Sequence, residues 1–207
     1  MHMPGFPARG LYAITDGPRV DLVDACVAAM EGGAAVLQYR DKTSNHARRR
    51  DEARELATLC VQHDVPLIIN DDVDLAAEVG AAGVHLGEHD AHVANARNRL
   101  GSAAIIGVSC YDSLERARDL AAAGADYLAF GAFFASPTKP QARRATPDLL
   151  HAARMFGKPL VAIGGITTDN AEPLIAAGAD FLAVISGIFG QGNAFEAARR
   201  YADLFHT

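Results

Sequence analysis

The chain has 207 residues, half of them hydrophobic and 21% charged, a balance that suits one well-buried globular domain and excludes a disordered one. Its net charge of −6 and the lack of a long basic run give no support to nucleic acid as the main partner. No apolar stretch approaches the roughly 18 residues of a membrane span, and the opening MHMPGFPARG lacks the charged-then-apolar order of a signal peptide.

In chain order, short apolar runs alternate with longer amphipathic ones. The runs at 11–15, 35–40, 66–70, 83–87, 104–109, 127–131, 160–165 and 181–186 are rich in Ile, Val, Leu or Phe and alternate little, as buried parallel strands do. Between them, 21–31, 47–63 and 113–123 carry charges three or four residues apart among Ala and Leu, the spacing of amphipathic helices. The unit also echoes itself. Ala122-Ala123-Gly124-Ala125-Asp126 returns as Ala176-Ala177-Gly178-Ala179-Asp180, with Gly80-Ala81-Ala82-Gly83 as a looser copy, each where a helix ends at glycine and feeds a strand. Eight strand-helix units predict a single (β/α)8 TIM barrel over 1–207. An open doubly wound sheet is the alternative, but the first predicted strand is followed by Thr15-Asp16-Gly17-Pro18 and not by a glycine-rich turn.

Barrel chemistry sits where strands end, and these strands end on polar residues. Alternation points Gln38, Arg40 and Lys42 the same way past the second strand. Asn70-Asp71-Asp72 closes the third, Glu88-His89-Asp90 follows the fourth, and Ser109 ends the fifth. Ser136, Thr138 and Lys139 follow the sixth between Pro137 and Pro140, with Arg143 and Arg144 close behind. Gly164-Gly165 ends the seventh and Ser186-Gly187 the eighth. Arg40, Lys42 and Lys139 suit phosphate oxygens. The last two strand ends suit phosphate held by backbone N–H groups, and carboxylates beside phosphate-binding cations suit Mg2+. Each piece also has a plain reading: Asp71 or Asp72 as a helix cap, Arg40 or Lys42 in a rim ion pair, Gly164-Gly165 as a bare turn, Ser186 as a cap.

Other residues carry less. His85, His89 and His92 tempt a zinc assignment, but lack the helical pairing of a metalloprotease. Cys26, Cys60 and Cys110 are odd in number and far apart, which argues against a disulfide framework and for a reducing cytoplasm. Cys110 has no orienting base in sequence and reads as a small buried residue.

Taken in order, Gln38-x-Arg40-x-Lys42, Asn70-Asp71-Asp72, Val84 to Asp90, Gly107-Val108-Ser109, Pro137-Thr138-Lys139 and Gly164 to Thr167 resemble the thiamine phosphate synthase family over almost the whole chain. The resemblance implies a transferase. It would condense 4-amino-2-methyl-5-hydroxymethylpyrimidine diphosphate with hydroxyethylthiazole phosphate, giving thiamine phosphate and diphosphate with Mg2+ as cofactor. It implies Gln38, Arg40, Lys42, Asn70, Ser109 and Lys139 on the pyrimidine diphosphate, of which Arg40, Lys42, Ser109 and Lys139 carry catalysis. Ser136, Thr138, Gly165, Ile185 and Ser186 would hold the thiazole phosphate, and Asp71 and Asp90 the metal. Glu88 stands where the family commonly has glutamine, and Ser136 where it frequently has threonine. A related thiazole tautomerase, or a non-catalytic precursor-binding protein, would have no need of Lys42, Asp71, Asp90 and Lys139 together. The implied partners are small molecules, with no nucleic acid and no membrane; a homo-oligomer is compatible with all of this, and no residue selects one.

Overall fold

The computed structural model describes residues 4–88, 92–135 and 143–206. Strands β1 (Gly10–Ile14), β2 (Ala34–Tyr39), β3 (Leu67–Asn70), β4 (Gly83–Leu86), β5 (Ile105–Tyr111), β6 (Tyr127–Phe130), β7 (Leu160–Ile163) and β8 (Phe181–Val184) pair in sequence order, and β8 closes on β1. Every pairing is parallel, from Tyr12 beside Val36 to Leu11 beside Leu182. The TIM barrel expected from the alternating runs is therefore the observed fold, with each strand within two residues of its predicted limits.

The helices between the strands are α1 (Leu22–Glu31), α2 (His46–Gln62), α3 (Val73–Val79), α4 (Val93–Leu100), α5 (Leu114–Ala122), α6 (Pro147–Ala153), α7 (Glu172–Ala176), α8 (Ser186–Phe189) and α9 (Ala194–Asp203). On α1 the buried residues Leu22, Ala25, Cys26, Ala29 and Met30 fall three or four apart, so one stripe faces the strands. Helix starts are fixed by side chains that accept an otherwise unpaired N–H: Asn45 from Arg48 on α2, Ser113 from Arg116 on α5, and Asn193 from Glu196 on α9. Cys26, Cys60 and Cys110 are free and buried, and burial pushes the Cys110 thiol up to about 12. They are packing residues.

The internal echo has a physical job. Asp126 accepts the Ile106 N–H at 2.7 Å, and Asp180 accepts the Leu160 N–H at 2.8 Å. Each aspartate thus ties the start of its own strand to the start of its neighbour, at the end of the barrel away from the strand C-termini. Gly124 and Gly178, at φ +95° and +106°, make the helix-to-strand turn that delivers them.

Two apolar regions result. The larger lies between strands and helices; the smaller fills the barrel, with Val36, Ile68, Val161 and Phe181 among its members. Phe6 closes the lower end, stacked on Tyr127 (centroids 4.8 Å apart, planes within 1°) and tilted against Phe181. Tyr127 leans over the neighbouring strand β5 into the space above Gly107, where a Cβ would sit inside its ring. Gly107→Ala should therefore cost at least the 1–3 kcal/mol typical of overpacking. Urea unfolding monitored by circular dichroism measures that loss, and an unchanged midpoint would contradict this packing.

Candidate active site

The C-terminal ends of the strands open into a cavity of about 580 Å3. Gln38, Arg40 and Lys42 line it from β2 and the loop beyond, which bears out their alternation. Asn70 and Asp71 reach it from the end of β3, Ser109 from β5, and Ile185 from the end of β8. Gly165 and Ser186 each stand one residue past a lining residue, Gly164 and Ile185. Asp90, Ser136, Thr138 and Lys139 lie outside the described residues.

The plain alternatives separate residue by residue. Asp72 is the helix cap, accepting the Leu75 N–H at 2.9 Å, whereas Asp71 faces the cavity. Lys42 Nζ is 3.0 Å from the Asp71 carboxylate, an ion pair on the cavity wall. Asp41 belongs to Arg48, at 2.5 Å, and not to Arg40. Ser186 is the first residue of α8 and caps nothing with its side chain. Gly165, at φ +62°, lies so close to the Ala135 carbonyl that no Cβ would fit, so its glycine serves close packing as well as the turn.

Among the described residues, two non-glycine residues at the mouth hold left-handed backbone, Asp71 at φ +65° and Tyr111 at +57°. Such conformations cost on the order of 1–2 kcal/mol outside glycine and cluster at functional sites. Tyr111 sits where the β5–β6 register shifts, between Ser109 and Tyr111, and a bulge of this kind re-aims the side chains beside it. Arg116 on α5 braces the same corner, donating to the carbonyls of Ser109 at 2.8 Å and Gly87 at 3.2 Å. Arg143 lines the cavity, 2.9 Å from Glu88 and 4.8 Å from the centre of the Tyr111 ring. Glu88 is thus engaged by a cation from the loop after β6.

Below the charged mouth runs a line of neutral groups. Gln38 Nε2 donates to Tyr12 Oη at 2.9 Å, Tyr12 Oη meets Tyr127 Oη at 2.7 Å, and Tyr127 Oη meets His85 Nδ1 at 2.9 Å. His85 Nε2 meets Ser109 Oγ at 2.9 Å. Sequence reasoning missed Tyr12, Tyr127 and His85 as parts of the site. It placed His85 on the strand but tested it only for zinc; inward alternation with Gln38 and Ser109 was the signal available.

Burial holds the His85 pKa down at about 4 against a weaker opposing pull from Asp71. The imidazole is neutral at pH 7. A donor set can also be judged for a cation: among the described residues no three metal-ligating side chains stand together. Asp71 alone, a hard oxygen donor beside cations, fits a magnesium ion that takes most of its ligands from phosphate and water.

The chain also matches known proteins over most of its length. The family model described as thiamine monophosphate synthase matches residues 11–188. The chain belongs to the thiamine monophosphate synthase family. Curated relatives named thiamine-phosphate synthase include that of Marinobacter nauticus, 55% identical over 87% of this chain and 83% of the relative. That of Xanthomonas campestris pv. campestris is 52% identical over 94% of both. Among solved structures, the thiamine phosphate pyrophosphorylase from Pyrococcus furiosus superimposes with a TM-score of 0.87 at 32% identity, over 96% of each chain. The resemblance read from six strand-end motifs is thus a family membership, and the chain is a transferase of thiamine biosynthesis.

The depressed His85 pKa has a consequence for stability. Unfolded His85 takes up a proton near pH 6.5 while the folded residue holds out to about 4, so the unfolded state binds more protons between them. The stability that neutral His85 contributes is complete above pH 6.5, is lost as pH falls toward 4, and amounts to roughly 3 kcal/mol at most. Urea unfolding at pH 7 and 4.5 should show a smaller drop for His85→Gln than for the parent chain; equal drops would contradict the half-buried neutral imidazole.

Proposed function

We propose that the chain joins 4-amino-2-methyl-5-hydroxymethylpyrimidine diphosphate to hydroxyethylthiazole phosphate, with Mg2+, to give thiamine phosphate and diphosphate. The observation that carries this reading is the convergence of Arg40, Lys42 and Asp71 on one open cavity whose floor is amide, imidazole and hydroxyl. Such a lining suits a polyanion attached to a neutral heterocycle.

In this reading the pyrimidine CH2–O bond breaks and its electron pair leaves with the diphosphate. The electron-rich aminopyrimidine carries the cation left behind, and the thiazole nitrogen lone pair forms the new C–N bond. Arg40 and Lys42 counter the charge that develops on the leaving oxygens, so they stabilise the transition state more than the bound substrate. Magnesium on Asp71 and Asp90 would supply further charge neutralisation on the diphosphate. Gln38 and Asn70 orient the ring, and Ser109 and Lys139 complete the diphosphate site. Ser136, Thr138, Gly165, Ile185 and Ser186 take the thiazole phosphate. A carboxylate already paired with Lys42 lowers the cost of keeping that lysine at the cavity before substrate arrives. Among the described residues the cavity lining contains no cysteine, and the reaction as written needs no covalent nucleophile and no general base.

The test is incubation with both phosphorylated precursors and Mg2+, followed by chromatography for thiamine phosphate and assay of released diphosphate. Product in equal amounts of each is expected, and an intact fold without product would return the chain to the precursor-binding reading. Asp71→Ala should lose Mg2+-dependent turnover while its circular dichroism stays that of the parent. Lys42→Ala should lower kcat by about 100-fold, in the range of one strong electrostatic contact to a developing anion; full activity in either variant would remove that residue from the site.

A further inference from the structure

The line of hydrogen bonds inside the barrel has a direction, and the direction decides what Ser109 shows to the cavity. A primary amide N can only donate, so Tyr12 Oη accepts from Gln38 Nε2. Tyr12 has one phenolic proton, and its remaining partner is Tyr127 Oη. Tyr127 then accepts from Tyr12 and directs its own proton to His85 Nδ1. A neutral imidazole carries one N–H, which this leaves on Nε2, where it is donated to Ser109 Oγ. The Ser109 proton has no place left in the line and faces the cavity.

We propose that Tyr127, backed by Tyr12, is a positioning residue that locks His85 in the Nε2–H tautomer and so makes the Ser109 hydroxyl a hydrogen-bond donor to the anionic ligand of the cavity. The anionic ligand rests on the function proposed above; the tautomer does not. Turning the Gln38 amide over would reverse every bond, put the Ser109 proton on His85 and leave only lone pairs facing a cavity lined by Arg40 and Lys42. That arrangement would repel an anion.

The groups are well placed to hold a single direction. Tyr12, Gln38 and Tyr127 are each at most 3% exposed. Phe6 stacks flat on the Tyr127 ring, and the missing side chain at Gly107 gives the ring its one slot. Burial raises both phenols well above the ordinary tyrosine pKa, so both keep their protons. In a low-dielectric interior a line of this kind is cooperative, and an unpaired member is costly. Tyr127 touches no substrate in this account. It acts through His85 on Ser109.

The experiment is a two-bond 1H–15N correlation spectrum of the free, 15N-histidine-labelled protein at pH 7. The His85 signal is identified by its loss in His85→Gln. The parent chain should show Nδ1 unprotonated and Nε2 protonated. Tyr127→Phe keeps the ring and its stacking but removes the donor to Nδ1; its His85 should shift to a mixture of tautomers. Its kcat should fall about five- to tenfold, the size of one buried hydrogen bond, with a smaller change in KM. Tyr12→Phe cuts the line between Gln38 and Tyr127, so its His85 should also shift toward a mixture of tautomers; a pure Nε2–H signal there would overturn the direction set by Gln38. An Nδ1–H His85 in the parent chain overturns the proposal even if neither variant folds. So does a Tyr127→Phe protein with tautomer and kcat unchanged. Absence of product from the parent chain, with the tautomer as stated, would instead overturn the synthase reading alone.

Discussion

A closed barrel of eight strands must fill its own interior, yet this one must also keep polar groups at the upper end of that filling. The contact between Tyr127 and the bare backbone of Gly107 meets both demands. A long aromatic ring rises from the apolar floor at Phe6 and Phe181, and its hydroxyl reaches His85. A shorter residue would leave a void, and a side chain at 107 would expel the ring. The apolar packing and the orientation of the site are therefore one feature, since the same ring carries both.

Above that neutral layer, charge is confined to the mouth. Lys42 with Asp71 and Arg143 with Glu88 keep two described cations of the rim paired at the cavity edge, where water still solvates them. Isolated ion pairs of this exposure add little to stability, so in the function proposed above their value lies in holding charge where an anion arrives. The backbone cost at Asp71 and Tyr111 points the same way. The fold supplies the restoring force through elements such as Arg116, which ties the ends of β4 and β5 from behind.

Fold and site were legible to different depths. All eight strands could be read because a strand buried on both faces is a short apolar run whatever its neighbours are. The mouth could be read because alternation carries Gln38, Arg40 and Lys42 to one side, and because strand ends are where polar residues interrupt apolar runs. Asp71 and Asp72 could not be told apart, since which of two adjacent carboxylates caps a helix depends on the backbone angle at Asp71. Tyr12 and Tyr127 looked like core, and by packing they are. Their hydroxyls matter because of residues 115 positions apart in the chain, a pairing that only the closed barrel creates. Glu88 and Arg143 likewise meet across 55 positions. The repeated Ala-Ala-Gly-Ala-Asp was visible as a repeat, but its work, an aspartate pinning a neighbouring strand, needed the strand order.

On the function proposed above, this mouth is a magnesium-dependent diphosphate site. Calorimetric titration of inorganic diphosphate into the protein, with and without Mg2+, tests it without relying on turnover. The account predicts saturable binding that requires Mg2+ and weakens about tenfold or more in Lys42→Ala, the loss expected for one charge-assisted contact. Binding indifferent to both the metal and Lys42 would contradict it.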